Sequence, residues 1–512
     1  MKRSTSVRGI TTLTLCTLAL AALASGSSAR AGTLMVTTRN DSGPGSLRQA
    51  IADASAGGDT IQFSIKGAIT LTSGALVIDK SLDIEGPGPN KLRISGNHAS
   101  RVFVIDRGNV TIAGVTISDG LADGSSDPPS TGGGVLNYGI LTLSNDVVSG
   151  NQALGDPNQG LFGFPGFFAG FSRGGGVVNL GTLRVTACQF IGNLSRGADG
   201  GSGLAQGFGM AGALNNRGEG EITGSEFIGN VVQGGNGCTG DFAGGCSGGA
   251  IANNGTLSIT GSTFSRNQAL SGHDNFGDGS GFALSGAIHT ETFDLGPALL
   301  DLSDSRFDHN QAVGGNSNSG AFSGSAMGGA VHFAYASGAI SVCTLDHNMA
   351  IGGAGAPRAE GGWGNGGALQ KEGASVTDSD ARLEHNQALG GPGGVGANGG
   401  LGLGGGLTSG GGSDVYVLNT LVAHNHAQGG QGRPGGPGGP GWGGGLIVGT
   451  VSSATLTLEG TTVTHNLALA GGPGGEGAGG GVYVYAPGTL NCDPTTVIKK
   501  NHASTTGDDI AP

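Results

Sequence analysis

One short pattern, an apolar residue followed two positions later by a bend and then Asn, recurs ten times between Val148 and Asn501. The asparagines are Asn151, Asn193, Asn230, Asn267, Asn310, Asn348, Asn386, Asn425, Asn466 and Asn501, spaced 35 to 43 residues apart. Most copies carry a small-residue pair and an aliphatic upstream, as in Gly329-Ala330-Val331, and an Ala two residues after the Asn. A unit this small cannot bury an apolar face alone, so the copies must stack on one another.

Within a copy the period is two. Leu257 and Ile259 alternate with Thr256, Ser258 and Thr260, which is the pattern of a strand with one buried face. Three short strands separated by Gly and Asn turns fit in about 22 residues, one coil of a solenoid whose neighbours pair about 4.8 Å away. An Asn at a bend tolerates left-handed backbone and bonds nearby backbone groups. The ten asparagines are therefore expected to form a structural column.

The rest of each copy is a Gly-rich insertion, such as GGPGGVGANGGLGLGGG from Gly390. With 111 glycines in 512 residues, disorder is the first composition-based reading, but apolar alternation between the glycines argues for an ordered chain. These segments are expected to leave one corner of each coil as loops, flexible or loosely packed together. Cys238 and Cys246 bracket one of them, CTGDFAGGC, and are expected to close it as a local disulfide.

The N-terminal quarter is plainer. Residues 1–31 carry Lys2, Arg3 and Arg8, an apolar run from about Ile10 to Ala24, and the small-x-small site Ala29-Arg30-Ala31, the layout of a secretory signal peptide. The run is too short for a transmembrane anchor, and no later stretch is apolar enough to span a membrane as a helix. Residues 32–66 are expected to cap the stack, through a short helix in SLRQAIADASA with Ser46 as N-cap. Residues 67–131 form regular coils without Gly-rich loops, 132–503 the ten Gly-rich coils, and 504–512 a tail.

Charged residues are only 12% and the net charge is −12. Such a surface gains little from counterion release, which argues against nucleic acid. The glycines lack the Gly-Lys-Ser/Thr of a phosphate loop, the Asp register of calcium β-rolls is missing, and no Cys or His spacing fits a zinc finger, so no cofactor is expected. After the signal segment five cysteines remain, an odd number, so disulfides do not hold the fold. Cys188 and Cys343 occupy the position taken elsewhere by Ser225, Ser262, Ser305, Thr420 and Thr461, four copies apart, and are expected to be unbridged to each other.

Two clusters invite a chemical reading. Asp301, Asp304 and Asp308 are the best candidates for the carboxylate group a polysaccharide-cleaving enzyme needs, although a solvated strand face is the simpler reading of them. The residue before the Asn is His in five consecutive copies: His309, His347, His385, His424 and His465, with Asp308, Asp346 and Glu384 just ahead of three of them. Stacking would bring the imidazoles to about 5 Å spacing. That arrangement suits weak divalent-metal binding centred on His347 and His385, against the simpler reading of shared descent on a solvated edge.

The copies resemble known families. Residues 61–131 resemble the right-handed parallel β-helix of the pectin-lyase-like class. GGAI at 248–251, GGAV at 328–331, GGAL at 366–369, FIGN at 190–193 and 227–230, FSRN at 264–267 and FDHN at 307–310 resemble the repeats of chlamydial polymorphic outer-membrane proteins. The resemblance implies an all-β solenoid, export, and an adhesin-like role at the cell surface. The partner is then an extracellular carbohydrate or a protein of a host or neighbouring cell. Those proteins carry a C-terminal translocating barrel, for which this sequence leaves no room after Asn501, so the likeness is expected to stop at the repeats. The alternative the fold class implies is a polysaccharide lyase or glycoside hydrolase.

Overall fold

A computed structural model describes residues 31–159, 169–203, 205–277, 281–292, 296–316, 323–450 and 452–512. Residues 1–30, all but the last residue of the expected signal peptide 1–31, lie outside the described residues. The chain forms one parallel β-helix with a single helix among the described residues. From the coil of Asn193 onward each Gly-rich coil contributes five strands rather than the three expected, and the coil of Asn151 contributes four. In the coil of Asn267 they are Cys246–Ser247, Ile251–Asn253, Thr256–Thr260, Thr263–Ser265 and Gln268–Leu270. Stacked coil on coil, these build parallel sheets of 9, 13, 14, 13 and 11 strands. The two extra strands are two or three residues long, too short for a period-two pattern to register.

Inward residues stack as ladders of like side chains. Phe190, Phe227, Phe264 and Phe307 are wholly buried, with ring centroids 4.6 to 4.8 Å apart and nearly parallel. Asn310 shows how the Asn column works. Its backbone N–H and its Nδ2 both donate to Asn348 Oδ1, at 3.0 and 2.9 Å, and Nδ2 also donates to Phe264 O. The pattern repeats from Asn151 to Asn466. Buried amides at a bend are thus paired within the column, which meets the general demand on buried polar groups. Asn137, Asn179, Asn216 and Asn253 form a second ladder at another corner, ending on Thr290.

Both ends of the stack are closed. The helix Leu47–Asp53 is N-capped by Ser46, whose Oγ accepts from Gln49 N, and buries Leu47, Ala50 and Ile51 in the same core as Val36 and Ile61. At the other end, residues 504–512 are part of the fold rather than a tail. Asp509 accepts from the backbone N–H and Nδ2 of Asn501, terminating the ladder, and Ile510–Ala511 pairs with Val482 and Tyr483.

Where they are described, the Gly-rich segments are not loose loops. Their outgoing and returning legs hydrogen-bond to each other and to the next coil. Nine consecutive glycine-to-glycine bonds of 2.8 to 3.1 Å run from Gly471 through Gly439, Gly430, Gly400, Gly391, Gly362, Gly353 and Gly324 to Gly315 and Gly281. The legs approach so closely that a Cβ on Gly391 would lie 2.0 Å from Gly353 O. Glycine is required there for contact, not for turning.

The expected Cys238–Cys246 disulfide is absent; both thiols are free and buried. The loop does not close on itself because each cysteine is built into a different ladder. Cys246 stacks between Gly209 and Ala283 in the nine-stranded sheet, within a small apolar cluster. Cys238 Sγ instead faces the carbonyls of Ala198 and Gly200 in the coil before. Cys188 and Cys343 are also free, and Cys188 N donates to Ser225 Oγ in the column of small polar residues.

Candidate functional site

The five histidines sit at the bend that follows strands Arg306–Asp308, Thr344–Asp346, Arg382–Glu384, Leu421–Ala423 and Thr462–Thr464. All five have φ between 53° and 56°, where earlier coils use Gly150, Gly192 and Gly229. A side chain in this left-handed region costs roughly 1 kcal/mol relative to glycine, and His is among the few residues enriched there. The rings stack into one exposed column, with centroids 4.9, 4.8, 5.2 and 5.2 Å apart and planes within 18° of parallel.

A carboxylate row runs beside part of it. His309 Nδ1 is 3.0 Å from Asp308 Oδ2. His347 Nδ1 and His385 Nδ1 both approach one oxygen, Asp346 Oδ1, at 2.9 and 3.1 Å. Burial opposes ionisation of Asp346, but hydrogen bonds from His385 and His347 outweigh it and hold the carboxyl below its ordinary range. Arg306 bridges Asp308 and Asp346, and Arg382 pairs with Glu384. At His424 and His465 the preceding residues are Ala423 and Thr464, so the row ends.

Asp301, Asp304 and Asp308 do not converge. Asp301 lies on the outer face of the 14-stranded sheet and accepts from Ala339 N; Asp304 occupies a bend; only Asp308 joins the histidine corner. Strand Leu299–Ser303 and strand Arg306–Asp308 belong to different faces of the coil, so sequence proximity does not bring the acids together.

Two groups were not expected. Lys371 and Asp378 form a wholly buried ion pair of 2.6 Å inside the solenoid. On the outer face of the 13-stranded sheet that contains Val331–Ala334, His289 and His332 stand 4.9 Å apart, with Glu291 3.3 Å from His289. Glu372 is two coils from Glu291 in the same row, flanking Ala334. Burial, followed by the charge of Glu291, pushes Glu372 up. Burial drives His332 well below the usual imidazole range, and neither of its ring nitrogens has a hydrogen-bond partner. The nine-stranded sheet covers this face, as Trp442 stacks on Tyr483 and Asn215 reaches Met210. The signal was present in GAIHTE (286–291), GAVHFA (329–334) and GALQKE (367–372), three aligned copies with polar residues after the aliphatic.

No protein-family model matches the chain, and no curated protein matches it in sequence. Among solved structures it is similar to a mannuronic acid specific polysaccharide family 6 lyase from human gut microbiota, at 11% identity and TM-score 0.37, covering 90% of this chain and 83% of that one. It is also similar to the A-module of the Azotobacter vinelandii mannuronan C-5 epimerase AlgE6, at 13% identity and TM-score 0.22, covering 93% and 97%. A third is the PL6 family alginate lyase AlyGC, at 9% identity and TM-score 0.20, covering 94% and 100%. Likenesses this distant leave function to be argued from the residues. Among the described residues no helix is long and apolar enough to cross a membrane.

Proposed function

We propose that this protein is an exported, non-catalytic β-helix that acts by binding, as an adhesin-like or structural element at the cell surface or outside the cell. The observation that carries this reading is the histidine column: five identical, exposed side chains at one-coil spacing along a stiff axis. A periodic row of like groups suits a partner that is itself extended and repeating, and an extracellular carbohydrate is the partner class favoured here. Export rests on the signal-like residues 1–31.

The second reading is a polysaccharide lyase or hydrolase. It is favoured by Glu291, Glu372 and the two imidazoles on one sheet face, since burial and the charge of Glu291 raise Glu372, the direction that suits a general acid. His332 is only 1% exposed, however, and a polymer would have to displace the covering sheet to reach it.

The chain lacking residues 1–31 is to be incubated with a panel of acidic and neutral polysaccharides, scoring retention and new chain ends together. Retention without new ends is expected. Turnover that disappears in Glu372→Gln would replace this reading with the enzymatic one, and absence of retention on every polysaccharide would remove carbohydrate as the partner. Recovery of the full chain only in the cytoplasmic fraction of its own cells would contradict export.

A further inference from the structure

We propose that Asp346, His347 and His385 bind one divalent transition-metal ion per chain. Their ligand atoms all lie within 4.8 Å of one another. Both imidazoles turn Nδ1, not Nε2, toward the same carboxylate oxygen, so the two nitrogens and the oxygen converge on one side of the column. The rings are 4.8 Å apart and 15° from parallel, fixed by the coil spacing of the backbone beneath them.

A tetrahedral ion with bonds of about 2.0 to 2.1 Å holds its ligand atoms roughly 3.3 Å apart. The cluster must therefore contract by about 1.5 Å at most, which rotation of side chains at an exposed bend supplies. Each imidazole would carry its proton on Nε2 and offer Nδ1 as a lone-pair donor. The side chains of His347 and His385 are 46% and 48% exposed, leaving room for water to complete the coordination.

Two nitrogens and one carboxylate oxygen favour Zn²⁺, Cu²⁺ or Ni²⁺ over Ca²⁺ and Mg²⁺, which take oxygen ligands. The stoichiometry follows from the carboxylate row. His424 and His465 are preceded by Ala423 and Thr464, Glu384 is paired with Arg382, and Asp308 approaches one histidine, His309, whereas Asp346, although Arg306 also reaches it at 3.4 Å, approaches both His347 and His385. The single ion sits where one acid faces two histidines.

The experiment is a calorimetric titration of Zn²⁺ into the chelator-treated chain lacking residues 1–31, with circular dichroism to confirm that each variant is folded. One equivalent is expected to bind. Asp346→Asn, His347→Ala and His385→Ala should each weaken it at least about tenfold, while the double variant His424→Ala/His465→Ala should bind as the parent does, and Ca²⁺ should give no isotherm. Equal heats for parent and the three site variants would overturn the proposal. So would equal weakening by the His424/His465 double variant, which would make the whole column a non-specific imidazole surface.

Discussion

Lys371 Nζ donates a 2.6 Å hydrogen bond to Asp378 Oδ2 in the interior of the solenoid. In register, Lys371 stands between Phe333 and Ser409, and Asp378 between Ile340 and Val417. Burial lowers the lysine and raises the aspartate, each opposed by the charge of the other. Lys371→Met leaves an acid with no partner in the core and should destabilise by about 3 to 5 kcal/mol. The double variant Lys371→Met/Asp378→Val should recover most of that loss. Denaturant midpoints of parent, single and double variants check this; a double variant as unstable as the single would contradict it.

The glycine segments give a contrast between contact and conformation. Gly391→Ala would drive a methyl to 2.0 Å from Gly353 O, and the stacked legs cannot separate without breaking the glycine hydrogen bonds. Gly396 has φ +80° and open space around it, so Gly396→Ala should cost only roughly 1 kcal/mol of backbone strain. Thermal denaturation should rank Gly391→Ala well below Gly396→Ala. The reverse order would mean that the legs are not packed as described.

The free thiols can be counted. Burial pushes Cys188 up to about 12 and Cys238 and Cys343 up to about 11, and Cys246 higher still. Among the described cysteines only Cys492 is exposed. In the chain lacking residues 1–31, a thiol reagent at pH 8 should modify one cysteine in the native state and five after denaturation. Three after denaturation without reductant would restore the Cys238–Cys246 bridge.

What the sequence made legible were features that repeat with a fixed period. Asn151 through Asn501 and the inward aliphatics announce themselves because every coil needs them. The glycine layers were misread because an absent side chain leaves no pattern to distinguish close packing from freedom; only the 2.0 Å approach at Gly391 does. Asp509 passed for a tail residue because it caps the Asn column once. The histidine corner was visible as a column, yet the convergence of His347 and His385 on one oxygen of Asp346 depends on side-chain rotation and not on spacing.

His332 gives a signed pH dependence. The folded chain holds it neutral, while in the unfolded chain it titrates near 6.5. Unfolding therefore takes up a proton below that pH, so its contribution weakens stability as pH falls from about 6.5, by at most about 1.4 kcal/mol per unit. Glu372, raised by burial and by Glu291, works in the opposite sense, favouring the fold below its ordinary range and losing that as pH rises through its raised value. Comparing denaturation midpoints of parent and His332→Leu from pH 7.5 to 5 isolates the histidine. The parent should lose stability faster on the acid side, and parallel curves would contradict the assignment.

The account depends on one coil per repeat, since every column of like side chains follows from it. Glu226 and Arg382 are exposed on the same outer column, four coil steps apart through Thr263, Arg306 and Thr344. With Cys492→Ser removing the exposed thiol, spin labels at Glu226→Cys and Arg382→Cys should give a narrow distance distribution centred about 19 Å apart, four spacings of about 4.8 Å. A distribution centred near twice that value would place two coils in each repeat and contradict the architecture.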